Sequence, residues 1–246
     1  MCRENMADFC GIFITILFST VSVYAREDWS HFTFAQQWPV AVCAEHKVCV
    51  IPPTVNGWGI HGLWPTADSK SKGPENCNTS WPFNFERVKT LLPDLKKFWP
   101  NLYPDTGANS FWEHEWSKHG TCATSLPATS NELKYFQMGL KLHAQYNLTK
   151  ILLNQGIITS NTAGYMANET EAALKRELGV NTVVQCVFDK EKTKKQLLYE
   201  VEICVSKDFK LIDCLHDESQ SSCPKKEPIF YPPLHDKQFG IGVSVI

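Results

Sequence analysis

Thr182-Val183-Val184-Gln185-Cys186-Val187-Phe188 and, after a charged run, Leu197-Leu198-Tyr199-Glu200-Val201-Glu202-Ile203-Cys204-Val205 decide the fold class. The first is rich in Val. In the second, Leu197, Tyr199, Val201, Ile203 and Val205 alternate with mostly polar neighbours, the period of a half-buried strand. Lys190 to Lys195 between them reads as a solvated hairpin tip. Working outward, the period changes to three and four. Thr170 to Leu178 and Ile151 to Gln155 read as short helices stopped by Gly179 and Gly156. Thr129 and Glu132 form a capping box ahead of a helix carrying Leu133, Phe136, Leu140 and Ala144 on one face. Asn84 to Trp99 is predicted helical, with Pro93 opening a second turn. Nearer the N-terminus, His31 to Trp38, stopped by Pro39, and Ile60 to Trp64 read as strands. Helices set among hairpin-joined strands, without regular βαβ alternation, predict an α+β fold.

The 246 residues are 43% hydrophobic and 12% aromatic, enough for one sizeable core. Arg3, an apolar run from Phe9 to Val23 and the small-residue pattern Val23-Tyr24-Ala25 predict a secretory signal peptide over residues 1–25, leaving 26–246 as one domain. The apolar run, interrupted by Ser and Thr, is short for a bilayer span, and no later run is longer, so no membrane anchor is expected in the mature chain. Of 10 cysteines, Cys2 and Cys10 fall in the leader. The even remainder (Cys43, Cys49, Cys77, Cys122, Cys186, Cys204, Cys214 and Cys223) reads as a disulfide framework whose pairing the spacing leaves open. Sequons at Asn78, Asn147 and Asn168 agree with a secretory route and predict glycosylation. Without residues 1–25, which hold Arg3, Glu4 and Asp8, the formal charge moves from -2 to -1, and the 8 histidines could take it towards +7 in acid. A polyanion would then be attracted.

The chemistry concentrates in Phe111-Trp112-Glu113-His114-Glu115-Trp116-Ser117-Lys118-His119-Gly120-Thr121-Cys122. A Ser110/Glu113 capping box and Gly120 at the far end predict a helix from about Phe111 to His119. On it Glu115 and His119 share a face, as do His114 and Lys118, and Trp112 and Trp116. A His-Glu-x-x-His zinc motif needs its histidines four apart, whereas His114 and His119 are five apart, roughly 140° round a helix. No metal is therefore expected. Metal-free acid/base work is, with Glu115 orienting His119 and favouring its charged form. His61, between Gly59 and Gly62 in Gly59-Ile60-His61-Gly62-Leu63-Trp64-Pro65, has little bulk nearby, which would let a ligand backbone approach its ring. A Cys/His hydrolase would need a free thiolate, and the even cysteine count argues against one.

Ile60 to Pro65 together with Phe111 to Cys122 closely resemble the two active-site segments of the ribonuclease T2 family, secreted, vacuolar or lysosomal endoribonucleases. The resemblance runs from Gln36-Gln37-Trp38-Pro39 to Phe230-Tyr231-Pro232-Pro233 and looks most like an animal member. It implies an α+β ribonuclease domain around a central antiparallel sheet, single-stranded RNA as substrate, no cofactor, and lysosomal or extracellular residence as a monomer. Residue by residue, it implies that His61 and His119 are the acid/base pair, that Glu115 and Lys118 stabilise the transition state, and that His114 binds phosphate. It further implies disulfides Cys43–Cys49, Cys77–Cys122, Cys186–Cys223 and Cys204–Cys214. Trp64, which would stack any base through its π face, and Gln37 are the implied base-binding residues. Thr66 departs from relatives with Asp after Trp-Pro, so a base preference resting on that Asp does not carry over. A fold-retaining but non-catalytic RNA-binding or signalling protein would be marked by loss of a histidine, and both are present.

The residues suit that chemistry in their own right. RNA is cut by its own 2'-hydroxyl when a neutral imidazole removes that proton and an imidazolium supplies one to the departing 5'-oxygen. Lys118 and His114 would meet the charge on the phosphoryl oxygens. The expected consequences are a bell-shaped acidic pH profile, 2',3'-cyclic phosphate ends, little base specificity and no cleavage of DNA.

Overall fold

A computed structural model describes residues 29–67, 73–214 and 221–234. The leader, and most of the tail beyond Pro233, lie outside the described residues. Phe32 and Phe34 point into the core from β1 (His31–Gln37), whose residues are all buried because neighbours flank it on both sides. Those neighbours are β2 (Gly59–Thr66) and β5 (Gln196–Ser206), both antiparallel to it. β4 (Val183–Phe188) forms the expected hairpin with β5. The turn is held by Asp189, whose carboxylate accepts from the amides of Lys192 and Thr193, so the charged run is a capped tip. The short strands β3 (Gly164–Tyr165) and β6 (Ile229–Phe230) complete a six-stranded sheet in which β5 and β6 pair in parallel. The expected antiparallel sheet is thus mixed at this one short pairing.

Among the described residues seven helices surround it, beginning with α1 (Pro39–Glu45), which Pro39 starts directly after β1. α2 (Phe85–Val88) and α3 (Leu92–Phe98) are separated by a 3-10 turn, with Pro93 in the first turn of α3 as expected. α4 (Ser110–Lys118), α5 (Glu132–Gln145), α6 (Leu148–Asn154) and α7 (Ala167–Leu178) follow. α7 ends on left-handed Gly179, φ 77°, and Gly156 after α6 has φ 75°, a backbone that glycine adopts without Cβ strain. α5 packs on β1 and β2, and its Tyr135 hydroxyl donates to the Leu63 carbonyl.

Two helix starts differ from expectation. Thr129 does not cap α5: Asn131 does, accepting from the Lys134 amide, while the Thr129 hydroxyl donates to Ala123 O. Glu132 is fully buried, where it takes Arg87 and the Asn84 amide. The buried face of α5 is accordingly Glu132, Tyr135, Phe136, Gly139, Leu142 and His143, with Ala144 outside. Ser110 likewise lies inside α4, behind Asn109, with no side-chain cap. The four disulfides join Cys43–Cys49, Cys77–Cys122, Cys186–Cys223 and Cys204–Cys214, the pairing the family resemblance implied. Among the described residues no helix is long and apolar enough to cross a membrane.

Candidate active site

Trp112, Glu115 and Trp116 form the buried side of α4. The Trp112 indole donates to Trp99 O and that of Trp116 to Trp81 O, fixing the helix in rotation. At its end the Asn76 amide donates to Lys118 O and the Cys77–Cys122 bridge ties the same two segments. His119 follows the last helical residue and Gly120 enters a 3-10 turn. Gly120 is not the left-handed stop expected. A Cβ there would lie 2.4 Å from the Trp116 ring, so the position is small for packing.

β2 supplies the facing wall. On β1, Thr33 and Ala35 pair with Trp64 and Gly62, but Gln36 pairs with Ile60, leaving His61 as an extra residue. Strict alternation would turn His61 into the core with Leu63. The bulge instead returns Ile60 to the core and re-aims His61 to the side of Trp64. Gly62 is needed for a reason other than ligand access. A Cβ there would lie 1.9 Å from Trp64 Nε1 and 2.3 Å from Glu115 Oε2, two atoms hydrogen-bonded to each other at 3.0 Å.

His61, Trp64, His114, Glu115, Lys118 and His119 all line one cleft of about 380 Å³, with Thr33, Thr66, Glu75 and Glu202 at its edges. The Trp64 ring is close to both candidate acid/base imidazoles, 4.9 Å from that of His61 and 5.5 Å from that of His119. Lys118 Nζ faces Glu75 at 3.4 Å. Gln37 does not line this cleft; it is buried at the end of β1, paired with Gly59 and Glu200. Of the other described histidines, His143 is buried against the Trp58 carbonyl, His31 bonds Ser30 and His46 packs on Tyr103. The asparagines of the three sequons are exposed.

Electrostatics separate the two imidazoles. Burial alone would lower His61, but the Glu200 carboxylate bonded to its Nδ1, with Glu115 and Glu202 near, more than offsets this and raises it to about 9. Burial lowers His119 to about 3, helped by the charges of Lys118, His114 and His61. His114 is lowered by burial, Lys118 and His61. Burial raises Glu115 to about 7 despite His61, Trp64 and Lys118. The carboxylate expected to hold His119 therefore spends its hydrogen bond on Trp64, and the paired imidazole is His61. Glu200 was missed because it lies far along the chain, on a strand whose polar residues looked solvent-facing. The sequence carried no local signal for it: only the burial of β5 between β1 and β4 puts a carboxylate where it requires a partner.

One ligand atom from each of His114, Glu115 and His119 falls within 4.8 Å of the others. Helical spacing alone set the two histidines roughly 140° apart; His119 is the residue after the last helical one, φ -116° and ψ -46°, and this end geometry brings the atoms closer than that spacing implies. These three could hold a cation, against the charge of neighbouring Lys118.

The sequence profile of the Ribonuclease T2 family matches residues 29–214. The chain belongs to the ribonuclease T2 family. It is 73% identical over 211 residues to Ribonuclease Oy of Magallana gigas, covering 85% of this chain and 99% of that one. The crystal structure of human RNase T2 superposes with a TM-score of 0.69 at 37% identity, over 83% of this chain and 99% of the other. That of RNase NT in complex with 5'-AMP gives 0.72 at 30% identity, over 84% and 100%. This ribonuclease T2 family enzyme is an endoribonuclease, and RNA is its substrate.

Proposed function

We propose that the enzyme cleaves single-stranded RNA by attack of the 2'-hydroxyl on the adjacent phosphorus, with His119 as general base and His61 as general acid. The supporting observation is that two imidazoles on one cleft are displaced in opposite directions, to about 3 and about 9, the pattern that divides acid from base. His119 takes the 2' proton as the O2'–P bond forms. His61 gives a proton to O5' as the P–O5' bond breaks, leaving a 2',3'-cyclic phosphate. Lys118 and His114 meet the phosphoryl oxygens, and Glu115 in its neutral form donates to one of them. Trp64 offers a stacking face without base readout, whereas Gln37 lies outside the cleft. No step needs a metal, and DNA lacks the nucleophile.

The working pH follows from the three groups. His119 is neutral above about 3, Glu115 neutral below about 7 and His61 charged below about 9. All three hold their working forms in acid, which suits a lysosomal or secreted, glycosylated monomer. Homopolymeric RNAs incubated with purified enzyme across pH, with and without chelator, test the reading. Cyclic phosphate ends, an acidic optimum and indifference to chelator support it, and a chelator-abolished activity or direct hydrolytic ends overturn it.

A further inference from the structure

Glu200 lies 139 residues from His61 in the chain, yet its Oε2 bonds His61 Nδ1, and the carboxylate side chain is 6% exposed. The register explains the meeting. β1 runs between β2 and β5, with Gln37 opposite Glu200 and Ala35 opposite both Gly62 and Glu202. Ala35 and Gly62 put almost no bulk on this face between the strands, and the bulge turns His61 towards it. We propose that Glu200 is the positioning residue of the reaction: by holding Nδ1 it fixes the imidazole plane and presents a protonated Nε2 to the departing 5'-oxygen.

The proposal depends on the acid role given to His61. With Nδ1 occupied, the proton donated to O5' comes from Nε2, and the second imidazole proton stays on Nδ1 against Glu200. The neighbouring Glu202 is itself held, accepting from Gln185 Nε2 at 3.0 Å, and Gln185 Oε1 accepts the Ser222 amide beside the Cys186–Cys223 bridge. Burial and the charge of Glu200 raise Glu202 to about 7, so in acid it brings no second full charge to the ring. The other titratable groups lining the cleft with His61 are Glu115, His114, Lys118 and His119, from α4 and its end, and Glu75, which faces Lys118. Glu115 is bonded to Trp64, which leaves Glu200 as the carboxylate that orients the imidazole.

Glu200→Gln keeps the shape and removes the charge. NMR titration should find His61 moved down from about 9 by about two units. In the unaltered enzyme kcat should decline first with Glu115 near 7 and again with His61 near 9; in the variant the second step should move down and merge with the first, and kcat for a dinucleotide should fall about 10²-fold with KM little changed. Glu200→Asp should restore part of the loss. In the unaltered enzyme, His61 should carry a far-downfield Nδ1 proton, a readout that stands even if the Gln variant does not fold. An unmoved His61 titration, or lost kcat with the step near 9 retained and no recovery in Glu200→Asp, overturns the proposal. Failure of the reaction scheme itself is separate: it would show as absence of cyclic phosphate from the unaltered enzyme.

Discussion

His119 carries the sharpest expectation at the scale of single residues. Burial and three nearby cationic groups hold its imidazole neutral down to about 3, so it can accept a proton in acid where an ordinary histidine is already charged. His119→Ala is expected to lower kcat by about 10³- to 10⁴-fold while leaving the thermal midpoint nearly unchanged above pH 6.5, as measured on a dinucleotide substrate and by circular dichroism. Glu115→Gln supplies a complementary check. A permanently neutral amide cannot ionise near 7, so the decline of activity between about pH 6 and 8 should flatten, at some cost in kcat because the amide is a weaker donor than a carboxylic acid. The residues of this chemistry could be read from the chain because imidazole, carboxylate and ammonium are crowded into two short segments. Their pairing could not. Helical spacing joined Glu115 to His119, but the helix ends at Lys118 and Glu115 turns to Trp64, while the partner of His61 comes from a strand that no local pattern connects to it.

At the scale of elements, the longer strands and helices lie where their hydrophobic periods put them, but the buried face of α5, the second buried face of β5 and the helix ends do not follow. Thr129 and Ser110 matched capping boxes by letter, yet Asn131 caps α5 and α4 has no side-chain cap. In both cases tertiary contacts override local preference: buried Glu132 is committed to Arg87, and α4 is held by its tryptophans and the Cys77–Cys122 bridge. The bulge at His61 could not be read from periodicity, because a single extra residue changes which face a side chain takes without changing the alternation on either side. Gly62 marks the spot. Gly62→Ala drives a methyl into the Trp64 indole and the Glu115 carboxylate, so it is expected to cut kcat/KM by about 10²-fold through misplacement. Overpacking should cost about 1–3 kcal/mol of stability, measured by urea unfolding. Wild-type activity in that variant would mean that Trp64 and Glu115 need not touch.

Across the whole molecule, the same cleft that arranges catalysis should set how stability varies with pH. His61 is raised to about 9, so its contribution is complete below the unfolded value of 6.5 and is lost as pH climbs through 9. Glu115 and Glu202, raised to about 7, contribute most below 4.5 and lose that contribution as pH rises through 7. His119, His114 and His143 are lowered, so their neutral forms favour the fold above 6.5 and that gain disappears on acidification. Between pH 6.5 and 9 the cleft's shifts therefore all act one way, and the thermal midpoint should fall steadily over that window. Below 6.5 the carboxyls and the lowered histidines oppose one another, so the midpoint should vary less. The maximum is expected on the acidic side of neutrality, where the groups also hold their working protonation. Glu200→Gln separates this account from a general charge effect: with its partner gone, His61 should lose its contribution by about 7 rather than 9, and the decline above 7 should become shallower than in the unaltered enzyme. Equal slopes for the two proteins would mean that the buried pair does not govern the alkaline loss.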